Sequence, residues 1–187
     1  CGLFVVSEPS GGRLPGFLGV SRRARDVRLG EFYRLTTDAK ADPDYPAWFA
    51  LHRATREELE AQREIGPASS PLVSIVIPVY NPPIDYLDFC IDSVRTQSYE
   101  NWELILVNAS PENHKARSYL EQITDPRIRV VELEKHLGIA GNTNVGVSQA
   151  KGDYIAFIDQ DDIIEPDTLY EYVRAISEHP ECDLLYC

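Results

Sequence analysis

From Leu72 onward the chain alternates short uninterrupted apolar runs with stretches in which apolar residues recur every three or four positions. The runs Leu72 to Val79 and Tyr154 to Ile158 are dominated by large, β-branched or aromatic residues and do not alternate with polar ones. That pattern predicts strands buried on both faces. Trp102 to Val107 and Ile128 to Leu133 read as two further strands, and Asp183 to Tyr186 begins a fifth. Between them Leu87, Cys90, Ile91 and Val94 fall at i, i+3, i+4, i+7, the spacing of a helix with one apolar face. His114 to Ile123 and Ile139 to Ala150 are also expected to be helical, the latter despite Gly141 and Gly146, and Leu169, Tyr172, Val173 and Ile176 mark a further helix. Strand and helix in turn at this spacing predict an α/β fold, a mostly parallel Rossmann-like sheet with helices on both faces.

The first part of the chain has a different texture. Leu3 to Val6 and Phe17 to Val20 are short apolar runs among glycines and prolines, which suggests strands and turns. At Tyr45 the pattern becomes helical: Trp48, Leu51 and His52 share a face, and Thr55 with Glu58 forms a capping box opening a second short helix to about Glu64. Gly66 to Pro71 reads as a linker. The expected organisation is therefore an extension, residues 1–70, followed by an α/β unit, residues 71–187.

In open α/β sheets ligands bind beyond the carboxyl ends of the strands. Three polar tails follow three of the predicted strands. They are Pro78, Val79, Tyr80 and Asn81; then Asn108, Ala109 and Ser110; then Asp159, Gln160, Asp161 and Asp162. An aromatic and an amide suit a flat base, and Asp159 with Asp161 suits a divalent cation, Mn²⁺ or Mg²⁺, bridging to a diphosphate. Taken singly, each feature has a plainer explanation. Tyr80 and Asn81 precede Pro82 and Pro83 and fit a turn, Asn108 is a common turn residue, and the acids could be a solvated loop before a helix with Pro166 at its first position and Asp167 in its first turn.

Charge narrows the ligand. The chain carries 18 basic and 30 acidic residues, a net −12. Residues 1–70 balance ten of each, so residues 71–187, with eight basic and 20 acidic, hold the whole excess. So few cations assemble no basic patch, which excludes nucleic acid as a main partner and obliges an anionic ligand to arrive with a metal or to meet aimed backbone N–H groups. The cysteines at 1, 90, 182 and 187 have no paired spacing, which argues against a zinc site or disulfide scaffold and fits a reducing cytoplasm. No apolar run reaches ~18 residues, so neither a membrane span nor a signal peptide is expected. The lack of any Met, position 1 included, and a last residue inside an expected strand read as a piece of a longer protein. Gly138, Gly141 and Gly146 do not spell a dinucleotide fingerprint, no phosphate-binding Gly-Lys loop exists, and no Ser, His and acid set stands out. The histidines at 52, 114, 136 and 179 read as surface or helix-end residues.

Four segments together carry a family resemblance: S-I-V-I-P-V-Y-N from Ser74, S-V-R-T-Q-S-Y-E-N-W-E from Ser93, G-I-A-G-N-T-N-V-G from Gly138 and A-K-G-D-Y-I-A-F-I-D-Q-D-D from Ala150. In this order and at these distances they resemble glycosyltransferase family 2 over residues 71–187. The resemblance implies an A-type glycosyltransferase fold whose nucleotide-binding half takes a nucleotide diphosphate sugar. It implies that Pro78, Val79, Tyr80, Asn81, Asn108, Asn144 and Asp159 contact the nucleotide, and that Asp159 and Asp161 touch the ribose and the metal-bound diphosphate. Tyr45 to Gln62 is similar to an extension preceding this domain in some bacterial cell-surface polysaccharide transferases. Two positions depart from the family pattern. Asn108 stands where an acid is usual, and Thr143 precedes Asn144 where Arg is frequent.

The expected function is a metal-dependent, inverting glycosyltransferase moving sugar to a hydroxyl of a glycan or lipid-linked acceptor in surface polysaccharide synthesis. It would work in the cytoplasm or at the inner face of the membrane. The acceptor half and the general base are expected beyond Cys187. The rivals are a nucleotidyltransferase, which would carry a Gly- and Lys/Arg-rich loop where Asn81, Pro82 and Pro83 stand, and a non-catalytic nucleotide-sugar-binding or assembly module.

Overall fold

The computed structural model describes residues 4–7, 45–65, 70–181 and 184–185. In chain order the elements are β1 (Phe4–Ser7), α1 (Tyr45–His52), α2 (Arg56–Ile65), β2 (Val73–Val79), α3 (Ile84–Arg95), β3 (Trp102–Asn108), α4 (His114–Leu120), β4 (Ile128–Glu132), α5 (Gly138–Gln149), β5 (Tyr154–Phe157), α6 (Thr168–Glu178) and β6 (Leu184–Leu185). The expected α/β architecture is present as one six-stranded sheet in the order β4-β3-β2-β5-β1-β6. Strands β4, β3, β2 and β5 run parallel, with Val79 beside Asn108 and Asn108 beside Glu132. β1, from the extension, pairs antiparallel with β5 and β6.

The sheet is covered on both sides because its central strands are apolar on both sides. Ile75, Ile77, Leu104, Leu106 and Ala156 join a core that includes Leu87 and Ile91 of α3 and Leu169 and Val173 of α6. Val76, Ile105, Val107 and Ile155 form the opposite core, against which Val145 and Val147 of α5 pack. β2 is buried along nearly its whole length, as its unbroken apolar run predicts. β5 is shorter than expected, and its end residues Tyr154 and Phe157 are only half-buried.

Smaller departures sit at element ends. α4 stops at Leu120 rather than Ile123. α6 begins at Thr168 rather than at Pro166, because residues 163–166 are themselves buried and are hydrogen-bonded to Ser93 of α3 and to Ser98 just past it before the helix starts. The Thr55–Glu58 capping box forms in both directions: the Glu58 N–H donates to Thr55 Oγ1 at 3.2 Å, and the Thr55 N–H to Glu58 Oε2 at 2.7 Å. The Phe17 to Val20 run, residues 66–69 of the linker, and Cys1, Cys182 and Cys187 lie outside the described residues. Among those described, no helix is long and apolar enough to cross a membrane.

Gly146 explains how α5 lies so close to the sheet. A β-carbon there would overlap Val76 Cγ1 and come within 3.0 Å of Val107 Cγ2. Gly146→Ala gains about 1 kcal/mol of helix propensity but overpacks the interface at a cost of about 1–3 kcal/mol. A net loss is expected, read as a lower urea midpoint with unchanged slope. An unchanged midpoint would mean that the helix can lift without penalty.

Candidate functional site

The carboxyl ends of β2, β3 and β5 adjoin, and the polar tails that leave them are tied together. After β2 the chain turns at Asn81, whose φ of +44° lies in the left-handed region that Asn tolerates better than most residues. The Asn81 N–H donates to Ser110 Oγ at 2.6 Å, and Asn113 Nδ2 donates to Asn81 Oδ1 at 3.3 Å. These bonds fasten the β2 exit to the β3 exit. Gln160 fastens it to the β5 exit: the Tyr80 N–H donates to Gln160 Oε1 at 2.8 Å, and Gln160 Nε2 donates to the Tyr80 carbonyl at 3.1 Å. The residue between the two expected metal carboxylates thus holds the expected base-facing aromatic. Asp159 and Asp161 are exposed and Asp162 is buried, and the Asp162 N–H donates to the Asp159 carbonyl at 3.0 Å, closing a tight acidic turn. Pro78 is half-buried and Val79 fully buried at the floor of this edge.

Asn108 stands at the same edge but is completely buried, and both groups of its amide are engaged within the protein. Its Oδ1 accepts the Ser110 N–H at 3.1 Å, and its Nδ2 donates to both oxygens of Glu132 at 3.2 and 2.9 Å. Glu132, the last residue of β4, is exposed and is brought there by the β3–β4 register. Sequence reasoning passed over it, although counting residues along the paired strands would have found it.

His136, expected as a surface or helix-end residue, is exposed, but its contacts, like Asn142, were passed over. The His136 ring stacks on Tyr80 with centroids 4.1 Å apart and planes at 26°. Buried Asn142 accepts the Leu137 N–H through Oδ1 at 3.0 Å, which turns its Nδ2 to His136 Nδ1, also at 3.0 Å. That nitrogen is therefore the acceptor, and the neutral ring carries its proton on Nε2. Asn144 is exposed nearly two turns into α5, about 9 Å along the axis from its start. The neighbouring Thr143 hydroxyl donates back to the Ile139 carbonyl at 2.8 Å.

Beneath the acidic turn lies Cys90, fully buried, its thiol donating to the Asp159 carbonyl at 3.5 Å. Burial, and then the charges of Asp162, Asp161 and Asp159, push the thiol well above its ordinary pKa. It stays protonated and supplies no thiolate to a metal or a substrate. Among the described residues no group of three or more His, Cys, Asp or Glu side chains is gathered as a metal cage. Two exposed carboxylates with one residue between them instead fit a hard cation that takes the rest of its ligands from phosphate and water.

The fold is the nucleotide-binding half of an A-type glycosyltransferase. A crystal structure of S. aureus TarS 1–349 in complex with UDP-GlcNAc superposes with a TM-score of 0.53 at 25% identity, covering 58% of this chain and 32% of that one. A model of the family described as "Glycosyl transferase family 2" matches residues 74–185, and the chain belongs to that family. An uncharacterized protein, y4gI, of Sinorhizobium fredii is 42% identical over 122 residues, which is 63% of this chain and 13% of that protein. The O-antigen biosynthesis protein RfbC of Myxococcus xanthus is 34% identical over 145 residues, 76% of this chain and 11% of that protein. The chain thus spans about an eighth of the length of these two relatives.

Proposed function

We propose that this chain is the donor-binding portion of a metal-dependent, inverting glycosyltransferase that builds a surface polysaccharide or related glycan. The observation that carries the reading is the pair of hydrogen bonds between the Gln160 side-chain amide and the Tyr80 main chain, which ties the exposed aromatic's segment to the one bearing Asp159 and Asp161 at the carboxyl edge of a parallel sheet. Tyr80 and the turn at Asn81 face the base, with Pro78, Val79 and buried Asn108 as the floor beneath, and Asp159 reaches toward the ribose. Asp159 and Asp161 would hold a Mn²⁺ or Mg²⁺ ion, which when bound neutralises charge on the departing diphosphate. Asn144, exposed on α5, is a further contact to the nucleotide in this reading. UDP-GlcNAc in the structurally similar TarS and the O-antigen role named for RfbC support a uridine diphosphate sugar and a polysaccharide product.

Because carboxylates committed to a cation are poor proton acceptors, the base that deprotonates the acceptor hydroxyl is proposed to come from residues outside this chain. Titration calorimetry with UDP, GDP and dTDP, each with Mn²⁺ and with chelator, tests the reading. Binding of one diphosphate in Mn²⁺ alone, preferred over the other two, is expected. Equal binding of all three in chelator would refute it.

A further inference from the structure

The acidic turn is short, exposed at Asp159 and Asp161, and built on one face of a neighbouring helix. Cys90, Ser93 and Gln97 recur at i, i+3 and i+7 along α3 and just past its end, and each bonds a successive part of the segment that follows β5. Cys90 donates to the Asp159 carbonyl, Ser93 Oγ accepts the Ile164 N–H at 3.3 Å, and Gln97 Nε2 donates to the Glu165 carbonyl at 2.7 Å. One residue on, the Ser98 N–H donates to the Pro166 carbonyl at 2.6 Å. Gln97 does more than the others. It is buried, its Nε2 also donates to the Ser93 carbonyl at 2.9 Å, and its Oε1 accepts the Leu169 N–H at 3.0 Å.

Leu169 is in the first turn of α6, where backbone N–H groups lack partners within the helix. The residue at the cap position of α6, Asp167, makes no side-chain capping bond. Gln97 therefore caps α6 from just beyond the end of α3 while clamping the loop that leads into it. Only a side chain with a donor and an acceptor on one planar group does both. A carboxylate at that length lacks the donor, and a hydrocarbon leaves the Leu169 N–H without its acceptor and the Glu165 carbonyl with the Thr168 N–H alone, untied from α3.

We propose that Gln97 is a positioning residue for the metal-binding carboxylates, fixing the spacing of Asp159 and Asp161 through the Glu165 carbonyl and the start of α6. The inference rests on the donor-site reading above. Outer groups that orient metal ligands are commonly worth about 10–100-fold in metal affinity. In the whole protein, Mn²⁺ is titrated in the presence of UDP, and uridine, which has no phosphate for a metal to bridge, is titrated separately. Gln97→Leu is expected to weaken Mn²⁺ at least about tenfold while uridine affinity stays within about twofold. Gln97→Glu, which keeps the acceptor and loses the donor, is expected to fall between. Should Gln97→Leu fail to fold, Ser93→Ala, which removes the bond to Ile164 and the Ser93 hydroxyl's bond to the Cys90 carbonyl within α3, is expected to show the same split on a smaller scale. Wild-type Mn²⁺ affinity in the folded variants, or equal losses for Mn²⁺ and uridine, would overturn the positioning role alone. UDP binding by the unaltered protein that ignores Mn²⁺ would overturn the donor-site reading and take this inference with it.

Discussion

Asp161→Ala is expected to abolish metal-dependent binding of a nucleotide diphosphate and to leave the protein as stable as before. Residues 71–187 carry 20 acidic and eight basic side chains, so a diphosphate approaching the acidic turn is repelled until a cation lies between them. Mg²⁺ and Mn²⁺ sites of this kind use one or two carboxylates, and removing one of the pair leaves a single protein ligand. A loss of at least about 100-fold, or about 2.7 kcal/mol, is expected. Asp161 is exposed, so the thermal midpoint should barely move. Calorimetry with UDP, comparing the variant in Mn²⁺ with the parent in chelator, should give matching traces. Undiminished binding by the variant would return the acidic cluster to the plainer status of a loop ahead of α6.

Asn108→Asp is expected to destabilise the fold by about 3 kcal/mol at neutral pH. The substitution is nearly isosteric, but it replaces the Nδ2 donor with an oxygen facing the Glu132 carboxylate at 2.9 Å. A hydrogen bond to a charged group is lost, and a like-charge contact appears in its place at a buried position. The new carboxyl would hold its proton more tightly folded than unfolded, so its folded-state pKa is raised. Stability is then greatest below the unfolded carboxylate value near 4 and declines as pH rises through the raised folded value. Urea denaturation at pH 7 and pH 5 should show a large deficit at the first and a smaller one at the second. A variant as stable as the parent at pH 7 would show that the Asn108–Glu132 bond contributes nothing.

The strands and the helices packed on them were legible because their apolar residues follow two sharply different periods, and the parallel order follows from their alternation. The polar tails at Tyr80, Asn81 and Asp159 were legible for a related reason: each directly follows a strand, so their common edge is a matter of topology. The groups that lock that edge were harder to read. Gln160 entered only as a member of the acidic tail, and Gln97 only within the motif from Ser93, because their partners lie 80 and 68 residues away in sequence. His136 carries no spacing signal, since its stack on Tyr80 depends on where the β4–α5 connection happens to fold. Asn108 was placed at the correct strand end, but its partner Glu132 becomes visible only with the β3–β4 register.

Cys90 turns the acidic segment into something that can be timed. Its sulfur sits under the Asp159 carbonyl with no exposed surface, so a thiol reagent reaches it only when the segment after β5 lifts off α3. In a protein whose other cysteines are replaced by serine, the labelling rate at this single atom becomes a clock for that opening. Ligands that hold the segment down slow the clock whether or not sugar is ever transferred.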